Sequence, residues 1–460
     1  MRVDLRIAGV LSLFTNVITA IEVDWNDEAS IKDAASTVAF GLMKYYTGNN
    51  TGDVPGNLPD PYFWWEAGAM FGTMIDYWLY TGDETYNDVT FQAIQHQVGD
   101  DADFMPQNQT STLGNDDQGF WTMTAMMAVE ANFQNPPEGE PQWLALVQAV
   151  FNEYVERWNE ETVCSGGLRW QIFPFNNGYN YKNSISNGCF FNIAARLARY
   201  TGNETYADWA GTIWDWMELH EFIDPDFNVY DGANVNNDCD NHDASQWTYN
   251  AGIFMQGAAM MYNFTGGDER WQARTQGLVS RSAEIFFPNN IAIERSCDPV
   301  RGCNIDQRTF KGYLLRWMAS TSQIAPFTFD TLSPLIKSSA QAAALQCSGT
   351  TGAPDFRGTP GTACGSDWTK GAAFDGLVGV GEQMSALSAM QYSLVTKETV
   401  GPVTADTGGT SEGDVNAGAS TMGKIPHLEP ITTADRIAAG FLTSGVALSV
   451  LGGCIFLMKD

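Results

Sequence analysis

The sequence predicts an all-α protein, an (α/α)6 toroid of six helical hairpins, and three observations predict it. A segment, Tyr80-Thr81-Gly82-Asp83-Glu84-Thr85-Tyr86, recurs as Tyr200-Thr201-Gly202-Asn203-Glu204-Thr205-Tyr206 and, degraded, as Phe264-Thr265-Gly266-Gly267-Asp268-Glu269-Arg270-Trp271. Each copy follows an apolar helical run and precedes an amphipathic one. The runs alternate in character along the chain, roughly six polar and six apolar, and hairpins of this kind must stack to bury their faces.

The turns come first in the argument because their physics is local. Gly82, Gly202 and Gly266 suit the left-handed conformation that ends a helix. The acidic residues after them suit the first turn of the next. The more polar helices are expected near 28–46, 84–98, 142–158, 204–219, 268–286 and 330–345; the first shows its period at Ile31, Ala35, Val38 and Leu42. The more apolar, Gly/Ala/Met-rich ones are expected near 62–79, 115–132, 187–199, 247–263, 309–320 and 374–393. Ala67 to Leu79 is apolar nearly all round, so this class belongs inside. Inner helices of such a toroid run parallel, so their N-termini gather at one end, and a ligand site is expected among the loops entering them.

The two ends read as addresses. Arg2 and Arg6 flank an apolar stretch from Ile7 to Ile18, so 1–20 reads as a signal peptide. Residues 437–460 are an apolar run that stops at the terminus, with small residues Asn416 to Ser420 upstream, the layout of a removed GPI signal. A membrane-spanning tail is the alternative. Between them, 21–395 is expected to form the (α/α)6 domain and 396–436, Gly/Thr-rich and without apolar period, a flexible stalk carrying the attachment region. Four sequons, at Asn49, Asn108, Asn203 and Asn263, fit export. A formal net charge of -30 excludes nucleic acid as partner and argues against an anionic membrane surface. Once Cys454 leaves with the tail, Cys297–Cys303 and Cys347–Cys364 are the natural short-loop pairs. Cys189 sits in an apolar helix pattern as the odd thiol, which leaves Cys164–Cys239; sequence alone does not fix the connectivity.

Aromatics, carboxylates and amides recur where the loops enter the inner helices: Tyr62, Trp64, Trp65 and Glu66; Asn115, Asp116, Asp117 and Gln118; Asn187; Gln246, Trp247, Tyr249 and Asn250; Asp306, Phe310 and Lys311; Phe374 and Asp375. Rings suit pyranose faces, and amides and carboxylates suit hydroxyls. Gly114-Asn115-Asp116-Asp117-Gln118 is the sharpest signal. One reading is capping, with Asn115 as N-cap, Gln118 completing a capping box and two aspartates complementing the dipole. The other is catalytic, because adjacent carboxyls at a helix start can flank one glycosidic bond as nucleophile and acid. The acidic, Asn-rich stretch Asp231 to Asp243 reads as a solvated loop, with calcium as the rival. No P-loop, Rossmann fingerprint or metal box is present, so no cofactor and no metal are expected.

Taken together, the Asp116-Asp117 pair, the Tyr-Thr-Gly-x-Glu-x-Tyr hairpins, Tyr249-Asn250-x-Gly252 and Phe310-Lys311-Gly312 resemble glycoside hydrolase family 76 over about residues 21–395. With both terminal signals, the chain resembles that family's fungal cell-wall branch of mannan endo-1,6-α-mannosidases. The resemblance implies an (α/α)6 barrel and a retaining mechanism, with Asp116 as nucleophile and Asp117 as general acid/base. It also implies that Trp64, Trp65, Gln118, Tyr249, Asn250 and Lys311 line the mannose subsites. The substrates implied are α-1,6-mannose-containing glycans (the GPI core and mannan), with wall glucan as acceptor, for a monomer held on the outer face of the plasma membrane by its anchor. Plain hydrolysis of mannan and a non-catalytic wall lectin are the alternative functions.

Overall fold

A computed structural model describes residues 20–349, 356–418 and scattered residues between 436 and 449. Among the described residues twelve α-helices carry the fold: α1 (Glu28–Met43), α2 (Trp64–Thr81), α3 (Asn87–His96), α4 (Asn115–Ala131), α5 (Trp143–Glu160), α6 (Ser184–Thr201), α7 (Glu204–Leu219), α8 (Thr248–Phe264), α9 (Glu269–Phe286), α10 (Phe310–Ile324), α11 (Phe329–Gln346) and α12 (Val380–Tyr392). The even-numbered helices pack on one another in sequence, and α12 closes on α2. The odd-numbered helices form the outer ring, and α1 packs on α12. This is the (α/α)6 toroid the repeat predicts.

The repeated turn works as its residues require. Gly82 and Gly202 adopt φ of 79° and 71°, left-handed C-caps whose N–H groups return to Trp78 and Ala198 carbonyls. Asp268 in the degraded copy caps α9 by accepting from the Arg270 and Trp271 N–H groups. The inner helices are buried on most sides, as in the run Ala67 to Tyr77, and they touch closely through small residues. A Cβ at Gly68 would stand 2.8 Å from the Trp121 indole.

Three expectations change. The last inner helix starts at Val380 rather than near 374. Asp375 there accepts from the N–H groups of Ser366, Asp367 and Leu377, and Gly376 takes φ of 82°, so the segment is held as a loop. The Asp231–Asp243 stretch is not simply a solvated loop. It supplies β2 (Gly232–Asn234) and β3 (His242–Asp243), which join β1 (Tyr181–Asn183) in an antiparallel sheet beside the cleft. Among the described residues no group of three or more acidic, His or Cys side chains is arranged to hold a metal.

The third concerns the stalk. Residues 396–418 lie along the barrel rather than away from it. The Val403 N–H bonds the Glu130 carbonyl, Asn132 and Asn135 bond Thr410, and Asn152 on α5 bonds the carbonyls of Val415 and Ala417. Side-chain amides at helix ends and along α5 substitute for the apolar period that the segment lacks. The disulfides are Cys164–Cys239, Cys297–Cys303 and Cys347–Cys364, the last joining a two-stranded ladder, β4 (Cys347–Gly349) and β5 (Ala363–Cys364). Cys189 is a free, buried thiol. All four sequon asparagines are exposed. The expected signal peptide and most of the expected GPI tail lie outside the described residues, among which no helix is long and apolar enough to cross a membrane.

Candidate active site

The N-terminal ends of five inner helices, α2, α4, α6, α8 and α10, open on one cleft of about 490 Å³. Its floor is Phe120 of α4, packed between Trp65 at 4.7 Å and Tyr313 at 5.3 Å between ring centroids. One flank is Tyr249 stacked flat on Phe310, 3.8 Å apart and 4° from parallel. The other wall is the segment from Trp170 to Asn183, with Trp170, Asn176, Asn177 and Tyr181 facing in. That wall is tied to the catalytic turn by backbone: the Asn115 N–H donates to the Trp170 carbonyl at 2.8 Å, and Ile172 N–H to Leu113.

Asp116 and Asp117 lie in the first turn of α4 and both face the cleft. The N-cap is Gly114, not Asn115, and Asp117 rather than Gln118 closes the capping box, its Oδ2 accepting from the Gly114 N–H at 2.5 Å. The cap therefore uses one oxygen of Asp117 and leaves the other outside the box. A Cβ on Gly114 would stand 2.3 Å from Asp116 Oδ1 and 2.9 Å from Asp117 Oδ2. Those two radii from one point cap the separation of these two oxygens at no more than about 5 Å, which is shorter than the gap an inverting pair needs. Asp116 Oδ1 is buried without a hydrogen-bond partner.

The two carboxyls hold protons unequally. Burial pushes Asp116 up to about 7, opposed by N–H groups of the helix turn and the Trp170 indole. Burial and then the charge of Asp116 push Asp117 higher still. The two titrate as one coupled pair, in which the charge of Asp116 favours the proton on Asp117.

Two further carboxyls enter the cleft. Asp306 is pushed up to about 6 by burial, against hydrogen bonding from Trp65, and its Oδ1 has no partner. Asp231, also raised by burial, accepts from the Tyr181 hydroxyl at 2.8 Å and from Asn250 Nδ2 at 3.4 Å. No lysine or arginine is among the residues lining the cleft.

Of the residues expected from sequence, Asp116, Asp117, Trp65 and Tyr249 come together in this cleft. Trp64 borders an adjoining recess that also reaches Asp117, with its indole N–H bonded to Gln97. Gln118, Asn250 and Lys311 do not line it. Gln118 is wholly buried and bonded to Asp103 and Glu153 behind α4. Asn250 supports Asp231 from beneath. Lys311 is buried in an ion pair with Asp298 at 2.7 Å. Missing from the sequence-based set are Trp170, Asp231 and the amides of Asn176 and Asn177. Their only signal is the density of Trp, Tyr and Asn in a loop without period.

An (α/α)6 cleft with a helix-borne pair of unequally protonated carboxyls, stacked rings and no cation defines a glycoside-cleaving enzyme. Residues 30–406 match Glycosyl hydrolase family 76, and the chain belongs to that family. It is 44% identical over 459 residues, 98% of this chain and 99% of the other, to the mannan endo-1,6-alpha-mannosidase DCW1 of Saccharomyces cerevisiae. It is 43% identical to the mannan endo-1,6-alpha-mannosidase DFG5 of the same yeast, covering 97% and 96% of the two chains. Among solved structures, Dfg5 from Chaetomium thermophilum in complex with glucosamine superposes with a TM-score of 0.82 at 43% identity, covering 89% of this chain and all of that one. The GH76A alpha-1,6-mannanase from Salegentibacter sp. HEL1_6 shares the fold alone, with a TM-score of 0.61 at 18% identity, covering 80% and 99%.

Proposed function

We propose that this chain is a retaining α-1,6-mannan-directed glycosidase and transglycosylase. It cuts the mannose core of GPI glycans and passes the attached protein to wall glucan, from a GPI anchor on the outer face of the membrane. The observation that carries the reading is the Asp116–Asp117 pair, bounded to about 5 Å and split in proton affinity. Ionised Asp116 attacks the anomeric carbon, and the bond to the departing oxygen breaks as Asp117 gives that oxygen its proton. A hydroxyl then attacks the mannosyl ester, its proton returns to Asp117, and Asp116 is released. Transfer results when the hydroxyl belongs to a sugar, hydrolysis when it belongs to water.

Two features support the substrate. The relatives at 43–44% identity are named for α-1,6-mannan. The glucosamine held by the Chaetomium relative is a cation at neutral pH, and the cleft here carries four carboxyls and no cation. Those same names favour plain endo-hydrolysis as the second reading. The test follows the anomeric configuration of the first product by NMR, with an α-1,6-mannosyl donor, with and without a glucan oligosaccharide. Retention with a mannosyl-glucan product is expected. Inversion refutes the mechanism, and retention with free mannose alone leaves hydrolysis. Folded Asp116→Asn and Asp117→Asn variants that still support wall assembly would instead establish a lectin.

A further inference from the structure

The turn that carries the two aspartates is gripped from behind by one buried cation. Arg157, on α5, donates from Nη1 to Asn115 Oδ1 at 2.8 Å and to Gln118 Oε1 at 2.6 Å. These are the residues immediately before and after the pair. Its Nη2 donates to Glu153 Oε2 at 2.8 Å and to the Met105 sulfur at 3.0 Å. The guanidinium lies 5.6 Å from the centre of the Tyr154 ring, and the Tyr154 hydroxyl donates to the Asn115 carbonyl. The side chain is 10% exposed and lines no part of the cleft.

We propose that Arg157 is a positioning residue for the reaction, setting the aim of Asp116 and Asp117 without touching them. The proposal rests on reading those two aspartates as the reacting pair. Every partner in the brace has its orientation fixed. Gln118 presents its oxygen to Arg157 because its Nε2 is committed to the Asp103 carbonyl at 2.7 Å and Glu153 at 2.8 Å. Asn115 presents its oxygen because its Nδ2 donates to the Arg169 carbonyl at 2.8 Å. Through Asn115 the brace also reaches the opposite wall, whose Trp170 carbonyl receives the Asn115 N–H and whose indole faces Asp116. One planar fork therefore fixes the catalytic turn relative to α5 and relative to the wall that the substrate meets. The first turn of a helix lacks half its backbone bonds, so it is the part of α4 that needs an outside clamp. Lysine cannot replace the fork, because it has no second nitrogen to hold Glu153 while the first holds Asn115 and Gln118.

The test uses the full chain with Arg157→Lys, Arg157→Gln and Gln118→Met, and reads kcat and KM on α-1,6-mannotriose. A 2-fluoro-mannosyl fluoride, which traps the nucleophile, counts active sites. Mannotriose affinity is measured in an Asp116→Asn background. A misdirected pair costs on the order of 10- to 100-fold in kcat per active site, and substrate binding is untouched. The expected pattern is therefore a kcat loss greater for glutamine than for lysine, KM within about twofold, and unchanged mannotriose affinity. A merely structural role lowers the melting temperature and the titrated fraction but leaves kcat per site alone. That result, or a loss confined to KM, overturns the proposal. Should the Arg157 variants fail to fold, Gln118→Met removes one arm of the brace, and an unchanged kcat there is equally fatal. Asp116→Asn and Asp117→Asn run alongside; full activity in either removes the proposed function itself, a failure distinct from that of the brace.

Discussion

Gly114→Ala is the sharpest perturbation available to this site. Gly114 has φ of -97°, a value alanine adopts freely, so the backbone is indifferent to the change. The side chain is not. The new Cβ would stand 2.3 Å from Asp116 Oδ1, 2.9 Å from Asp117 Oδ2 and 3.0 Å from the Trp170 carbonyl oxygen. Contacts under 3.0 Å are essentially never met, so the Asp116 oxygen must retreat by at least 0.7 Å, the difference between 3.0 and 2.3 Å. It cannot do so into the cleft wall without disturbing the Trp170 carbonyl, which holds Asn115. Displacement of a reacting group by about 1 Å costs on the order of 100-fold, so kcat should fall roughly 30- to 100-fold, about 2–3 kcal/mol in the barrier. Overpacking should cost the fold only about 1 kcal/mol, partly offset by the stiffer unfolded chain. The measurement is kcat per titrated site on α-1,6-mannotriose beside a calorimetric melt. A well-folded Gly114→Ala protein within about threefold of the parent would refute the geometry on which the pair is read.

Other expectations follow from the same structure. Asp116 must be ionised and Asp117 protonated; with Asp116 raised to about 7 and Asp117 higher, kcat/KM should climb with pH through an acid limb near 7, and a limb near 4 would refute the assignment. Burial raises Glu66 and Glu294 each to about 8 in the fold, above their unfolded values. Their stabilising contribution is therefore full below about pH 4.5 and lost as pH rises through about 8, at about 1.4 kcal/mol per unit for each retained proton, so the melting temperature should fall from pH 5 to 8. Lys311→Met should strand Asp298, which also holds the Glu294 N–H, and cost about 3–5 kcal/mol by denaturant titration, whereas a subsite role would change KM in a protein of unchanged stability.

The architecture was legible because its signals are local. A glycine that turns left-handed leaves the same mark at Gly82, Gly202 and Gly266, and a polar cap opens the next helix at Asn203 and Asp268. The placement of Asp116 and Asp117 at the cleft was legible for the same reason, as both aspartates fall in one helix turn. The neighbouring residues misled through helix geometry. Successive side chains diverge by about 100°, and where Phe310 and Tyr249 face the cleft, Lys311 and Asn250 are turned to Asp298 and Asp231 instead. Gln118, two places after Asp116, is carried to the α5 side of the helix and becomes part of the brace instead. Trp170 and Asp231 lie in stretches with no period, where long-range packing through the β1–β2 pair and the Leu113–Ile172 bond brings them to the cleft. The segment 396–418 was misread for a related reason: its docking rests on side-chain amides of Asn132, Asn135 and Asn152, far away in sequence.

The placement of the cations completes the logic of the cleft. Four carboxyls face the substrate, yet the strong bases near the barrel core are turned into ion pairs elsewhere: Arg196 with Glu130, Arg316 with Asp76, Lys311 with Asp298, Arg157 with Glu153. A guanidinium beside Asp117 would draw its proton off at neutral pH and leave no acid for the departing oxygen. Burial without a counter-ion does the reverse, so the proton itself balances the charge of the pair and is available to move. The same argument explains why the brace stands behind α4 instead of inside the cleft. Arg157 sets the direction of Asp116 and Asp117 through Asn115 and Gln118, two neutral side chains, so the turn is fixed in space while the proton affinities of the pair are left to burial and to each other.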